Sequence, residues 1–174
     1  MNGSEFVTLV SVFSHPTWDL VVIFALLSAG FFYGIMAGKR RIAATIMYTY
    51  VAFALTSVLP LEKFSAAFDE AQAFFASLGV FFAIFLLLAF FLGSRRGAAG
   101  RAPASSWWQI FLLSFLQVGF LIHIFLGFLP SDKITALAPI TKNVFANPDL
   151  RLWWFVAPIA IVLFLRRLEA REEQ

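Results

Sequence analysis

Three polar side chains that could do chemistry lie within or at the head of long apolar runs of the sequence: Asp19, Gln117 and His123. A carboxylate or an imidazole in apolar surroundings can carry a proton or hold an ion, and a histidine can bind haem iron. Each also has a structural interpretation. A carboxylate such as Asp19 at the head of a helix is favoured by exposed backbone N–H groups and by the helix dipole, and we prefer this role for it. His123 can be a neutral imidazole that is hydrogen-bonded to a neighbouring helix.

A haem or quinone site is the least favoured interpretation of these residues. Bis-histidine ligation would pair His123 with His15, and nothing in the sequence near either residue indicates a porphyrin pocket. Gln117 and His123 are six positions apart in the sequence. On a helix this separation is about 9 Å along the axis and places the two on different faces, so we do not expect one site to contain both. We predict no cofactor.

Small and hydroxyl-bearing residues recur at helical spacing in two other apolar runs. Thr45 and Thr49 share a helix face with Thr56 further along. Threonine hydroxyls can donate to the carbonyl one turn back, so we favour helix packing over a hydrophilic pathway for this face. Gly30 and Gly34 are spaced one turn apart, and such a pair allows a second helix to pack closely without identifying that helix.

Catalytic motifs are not found in the sequence. It has no Ser/His/Asp set, no HExxH motif, no phosphate-binding glycine loop and no pair of carboxylates within an apolar run. The absence of cysteine excludes disulfides, a thiol nucleophile and Cys-ligated zinc. We therefore predict no enzyme and no catalytic or metal site. Nucleic-acid binding is also excluded, because the net charge is only +3 and the basic residues form short clusters between apolar runs.

The apolar runs themselves predict the fold. Of the 174 residues, 61% are hydrophobic and 13% are charged, which is incompatible with a water-soluble globule. A helix needs about 20 residues to cross the hydrocarbon layer. The sequence thus predicts an all-α integral membrane bundle, a single transmembrane domain over residues 1–174, with five transmembrane helices at about 18–38, 42–60, 73–93, 107–129 and 151–167.

The fifth predicted span is short, and the distribution of basic residues decides that it crosses. With five spans and the N-terminus outside, nine of the 13 Lys and Arg residues lie on the inner side and four on the outer side. Without the fifth crossing the same 13 residues would divide as six inside and seven outside. The positive-inside rule therefore favours an outer N-terminus and a cytoplasmic C-terminus.

Several segments between the spans are expected at the membrane surface. An amphipathic interfacial helix is predicted from Glu62 to Phe75, a short surface helix within Met1 to Phe13, and a flexible inner loop from Gly93 to Ser106. The loop from Pro130 to Asp149 either lies against the membrane or caps the bundle. All five tryptophans fall at predicted helix ends, where their rings prefer the headgroup level.

Residues 17–55, TWDLVVIFALLSAGFFYGIMAGKRRIAATIMYTYVAFAL, resemble the start of the colicin V production protein (CvpA) family. The shared features are an Asp at the head of the first span, glycines near its inner end, a basic turn and a second span. Asp19, Gly34 and the turn from Lys39 to Arg41 are the corresponding positions. The chain departs from the family by lacking an Arg-Gly pair at the first turn, by its phenylalanine content and by its fifth span. The resemblance implies a bacterial inner-membrane protein linked to export or envelope maintenance.

The sequence supports two functional hypotheses. The first is a membrane scaffold or accessory protein that acts through helix contacts with lipid and with other membrane proteins or further copies of itself. The alternative is a small oligomeric channel or transporter that uses Thr45, Thr49, Gln117 and His123.

Overall fold

In the computed structural model of the chain, the described residues are 18–60, 69–93 and 107–172, without the side chains of Glu70 and of residues 169–172. These residues form helices and no strand. The surface helix predicted in the first 13 residues and most of the loop predicted from Gly93 to Ser106 lie outside the described residues. So does the first half of the interfacial segment predicted from Glu62, whose second half belongs to a long helix.

Five of the described helices are long and apolar enough to cross a membrane, which confirms the predicted all-α membrane bundle. The five long helices are α1 (Trp18–Ala37), α2 (Lys39–Val58), α3 (Glu70–Gly93), α4 (Trp107–Phe128) and α7 (Pro148–Glu172). Three short elements connect α4 to α7: α5 (Ser131–Thr135), α6 (Pro139–Thr141) and a π-helix (Lys142–Ala146).

Helix α4 is the centre of the bundle and contacts all four other long helices. Its middle turns are buried on every side, including Leu116, Val118 and Phe120, as expected of a helix that is apolar around its whole circumference. Helices α1, α2 and α7 pack directly on α4, whereas α3 packs mainly on α2. Phe81 is the fully buried side chain of α3, and it meets Ala52 and Phe120.

The long helices alternate in direction, so the bundle has two ends. We call them the Asp19 end, where α1 and α7 begin and α2 and α4 finish, and the Lys39 end, where α2 and α4 begin. The connector from Ser131 to Ala146 closes the Asp19 end, with Ala138, Thr141 and Phe145 at most 5% exposed. This segment therefore caps the bundle.

A single residue, Gly38, joins α1 to α2. Its φ of +78° and ψ of 159° belong to a region that side-chain-bearing residues rarely adopt, which allows the chain to reverse within one residue. The amides of Arg41 and Ile42 then donate to the Gly38 carbonyl at 3.1 and 3.2 Å. As a result α2 begins at Lys39 rather than at the predicted residue 42, and the predicted basic turn is the first turn of the helix.

Helix α7 begins at Pro148, three residues before the predicted start of the fifth span. Asn147 accepts a hydrogen bond from the Asp149 amide at 2.9 Å, and proline is well suited to the first helical position. The 25 residues of the helix span about 37 Å, which exceeds the hydrocarbon thickness. Within α7, Pro158 cannot donate to the Trp154 carbonyl one turn back, and the Tyr50 hydroxyl donates to the adjacent Phe155 carbonyl at 2.5 Å.

Candidate functional site

The glycine pair predicted as a packing seam lies against α4 of the same chain. A Cβ atom built on Gly30 would lie 2.3 Å from Val118 Cγ2, and one built on Gly34 would lie 2.2 Å from Ser114 Oγ. Both separations are far below van der Waals contact. The Val118 and Ser114 side chains of α4 therefore lie directly on the α1 backbone, at a distance that only glycine permits at these positions.

A second close approach, at Gly119, was not predicted from the sequence. A Cβ atom at this position would lie 2.3 Å from the Trp154 ring, so the indole of α7 rests directly on the α4 backbone. The Trp154 indole N–H also donates to the Val144 carbonyl at 2.7 Å. A tryptophan assigned to the membrane interface thus also joins α4, α7 and the connector.

Of the polar residues predicted within the membrane-spanning runs, Thr49 and Gln117 are buried in the bundle, whereas Thr45 is only partly buried. Thr49 is fully buried, and its hydroxyl donates to the Thr45 carbonyl at 3.0 Å. The Thr45 hydroxyl donates in the same way to the Arg41 carbonyl at 2.8 Å. Gln117 is 9% exposed. Both threonine hydroxyls therefore take acceptors from their own helix.

Asp19 connects the start of α1 to the connector. Its carboxylate accepts hydrogen bonds from the Ala138 backbone amide at 2.9 Å and from the Thr141 hydroxyl at 2.6 Å. Ala138 and Thr141 are 3% and 1% exposed, so their donors have little access to water. The carboxylate thus holds the residues on either side of Pro139 and Ile140 against the start of α1, and it also lies in the first turn of its own helix.

His123, in the last part of α4, also contacts the connector. Its Nδ1 lies 2.6 Å from the Phe145 carbonyl oxygen. Because a carbonyl oxygen only accepts, this contact places a proton on Nδ1, and when the ring is neutral its Nε2 is an acceptor. The carbonyl belongs to the π-helix, an element that is rare and is often found at functional sites.

A cavity of about 490 Å³ lies beside His123 at the Asp19 end, bordered by the last turns of α2 and α4, the connector and the first turns of α7. Four phenylalanines, which we call the aromatic wall, line it: Phe53, Phe128, Phe145 and Phe155. The polar residues that line the cavity are Ser57, His123, Ser131, Asn147 and Arg151. Thr45, Thr49, Gln117 and Asp19 do not line it, so the structure places His123 apart from the other predicted polar residues.

Sequence reasoning assigned Arg151 only the role of a charged helix end and did not identify Asn147. The signal that could have placed both is the Asn-Pro-Asp sequence at 147–149, which is typical of a helix start and would have put Arg151 in a first turn. What the sequence lacks is a signal that this turn lies beside His123.

The described residues thus form an integral membrane protein in which α4 contacts the four other long helices and a cavity with aromatic side chains and an arginine lies at one end. Comparisons with protein-family models, with curated proteins and with solved structures find no match to the chain.

Proposed function

We propose that this protein is a membrane scaffold or accessory subunit that binds another membrane protein through the outer face of α3. The observation that carries the proposal is this face. Phe75, Phe82, Leu86 and Phe90 follow helical spacing on the side of α3 opposite Phe81 and are 40 to 69% exposed.

The centre of the same face is made of small residues. A Cβ atom built on Gly79 meets nothing within 4 Å, and Ala83 one turn later is also exposed. A small residue pair lets a second helix approach closely, and the flanking phenylalanines supply a large packing surface. The pair at Gly30 and Gly34, in contrast, is already occupied by α4. Helix α3 therefore offers a partner helix the same kind of small-residue face with which α1 packs on α4 within the chain.

The internal polar residues favour this proposal over a channel formed by one copy of the chain. Thr45 and Thr49 donate to their own helix, and neither they nor Gln117 line the cavity beside His123. These residues are thus used in packing. We propose no catalytic activity. Under the resemblance to the colicin V production family, the process served is export or envelope maintenance in a bacterial inner membrane.

Photo-crosslinking tests the α3 face directly. A photoreactive phenylalanine analogue at Phe82 is expected to give a discrete protein adduct in native membranes, and the adduct is expected to disappear when Gly79→Leu or Ala83→Leu is added. The matched control places the analogue at Leu163, which is 56% exposed on α7, and uses Ala160→Leu. Lipid adducts alone at both positions, or a Phe82 adduct that survives both leucine substitutions, would refute the proposal.

We further propose that the Lys39 end faces the cytoplasm. Among the described side chains, this end carries Lys39, Arg40, Arg41, Arg166 and Arg167, whereas the Asp19 end carries Lys133, Lys142 and Arg151. Because the chain has no cysteine, single cysteines report their own side of the membrane. A membrane-impermeant thiol reagent should label Lys133→Cys in intact cells and Arg167→Cys only after the membrane is opened. The reverse pattern would invert the orientation.

A further inference from the structure

The cavity at the Asp19 end combines a fixed positive charge with an aromatic wall. Arg151 is exposed and lies in the first turn of α7, where the helix dipole also favours a negative charge. Asp149 lies two residues earlier, is not among the lining residues and points from a different part of the helix surface. An anion beside Arg151 is therefore met by a cation.

The other polar lining residues complement an anion that also carries a hydroxyl group. The Asn147 side-chain oxygen is taken by the Asp149 amide, which leaves its NH₂ group to donate. His123 donates from Nδ1 to the Phe145 carbonyl, so the Nε2 of the neutral ring can accept a hydrogen bond from a hydroxyl. The cavity thus offers donors from Arg151 and Asn147 and an acceptor from His123.

The size and position of the cavity favour an amphiphile over a free ion. Its volume of about 490 Å³ is much larger than a phosphate needs and is in the range of pockets for small organic ligands. Phe53, Phe128 and Phe155 are partly exposed and provide apolar surface suited to an acyl chain. Trp153, near the start of α7, is 65% exposed, which suits the headgroup level of a bilayer.

We propose that this cavity binds the headgroup of a single acidic phospholipid. Its phosphate contacts Arg151 and Asn147, a headgroup hydroxyl donates to His123, and the first part of an acyl chain covers the aromatic wall. This site does not depend on the proposed partner of α3, because it is formed within one copy of the chain.

The test is a thermal unfolding titration of the purified protein in a neutral detergent, followed by tryptophan fluorescence. Three probes are compared: dioctanoyl phosphatidylglycerol, dioctanoyl phosphatidylcholine and glycerol phosphate. We expect the first to raise Tm in a saturable manner. The second lacks net charge and a headgroup hydroxyl, and the third lacks the acyl chains, so both should have little effect. Glycerol phosphate as effective as the acidic lipid would overturn the lipid assignment, and equal effects of the two lipids would overturn the headgroup assignment.

Two substitutions locate the binding site. Arg151→Gln should weaken the apparent affinity for phosphatidylglycerol by about tenfold, the size of one charge-assisted hydrogen bond. The matched control is Arg167→Gln, since Arg167 is also an exposed arginine on α7 but lies at the Lys39 end. We expect it to change the affinity by less than about twofold, as is usual for an exposed charge remote from the ligand.

His123→Asn keeps an N–H group for the Phe145 carbonyl and removes the ring acceptor. It should weaken phosphatidylglycerol binding by about fivefold, the loss of one neutral hydrogen bond. It should leave the effect of phosphatidylcholine unchanged. Equal affinities for phosphatidylglycerol in wild type, Arg151→Gln and His123→Asn would contradict the site.

Discussion

Replacing Gly34 by leucine is expected to destabilise the purified protein by more than about 3 kcal/mol, at the upper end of overpacking costs. The reason is the contact between α1 and α4. The Cβ atom of the new side chain would lie 2.2 Å from Ser114 Oγ, 3.0 Å from Ile42 Cδ1 and 3.1 Å from Ile110 Cγ2. Because Ser114, Ile42 and Ile110 are all buried among other side chains, they have little room to move aside. The measurement is the free energy of unfolding in mixed micelles.

The matched control is Gly79→Leu. Gly79 is also a glycine in the interior of a long helix, but a Cβ atom there meets nothing within 4 Å. Both substitutions replace a helical glycine by leucine, and the close contact is present at only one of the two positions. We expect Gly79→Leu to change stability by less than about 1 kcal/mol. Equal losses in the two variants would contradict the assigned contact.

A compensating substitution identifies the atom responsible. Ser114 Oγ is buried and has no hydrogen-bond partner among the described residues, so Ser114→Ala should be close to neutral or slightly stabilising. Gly34→Ala alone should cost about 2 kcal/mol, because its methyl group meets this oxygen. Combining it with Ser114→Ala removes the oxygen and should recover most of that loss. Strictly additive effects would show that the two residues do not interact.

The number of long helices could be predicted from the sequence because it depends on the local composition of each run. The predicted first span, 18–38, and α1 at Trp18–Ala37 differ by one residue at one end. The predicted fifth span starts later than α7 because the prediction required a run without charges, and such a run cannot extend toward the N-terminus beyond Arg151. A helix can begin before a charged residue when a capping sequence such as Asn147 and Pro148 stabilises its first turn.

The arrangement of the helices could not be predicted in the same way. In lipid all apolar faces are equivalent, so hydropathy does not identify α4 as the central helix. Helix order is decided by close contacts such as those at Gly34 and Gly119, and a glycine in the sequence does not specify its partner. The cavity depends on the same information, because His123 and Arg151 belong to different helices and meet only when α4 and α7 pack.

The contact between Asp19 and Thr141 joins residues that are 122 positions apart, and its removal is the second large effect we expect. Asp19→Ala should destabilise the protein by about 2 to 4 kcal/mol, because the Ala138 amide and the Thr141 hydroxyl would both be buried without an acceptor. The connector should also open, so trypsin should cleave after Lys142 markedly faster than in the wild type. Asp19→Asn retains an acceptor oxygen, so its stability and its cleavage rate should lie between those of the wild type and those of Asp19→Ala.

The matched control for this effect is Asp132→Ala. Asp132 is also an aspartate at the Asp19 end, but it is exposed and lies 3.4 Å from the exposed Lys133 ammonium, a surface pair that contributes little. Its removal should cost less than about 1 kcal/mol and leave the cleavage rate unchanged. In a double-mutant cycle, Thr141→Val should lose most of its own effect once Asp19 is alanine, since both changes remove the same hydrogen bond. Two outcomes would mean that the carboxylate does not hold the connector on the bundle. One is full additivity of the Asp19 and Thr141 substitutions, and the other is equal resistance to trypsin in Asp19→Ala and Asp132→Ala.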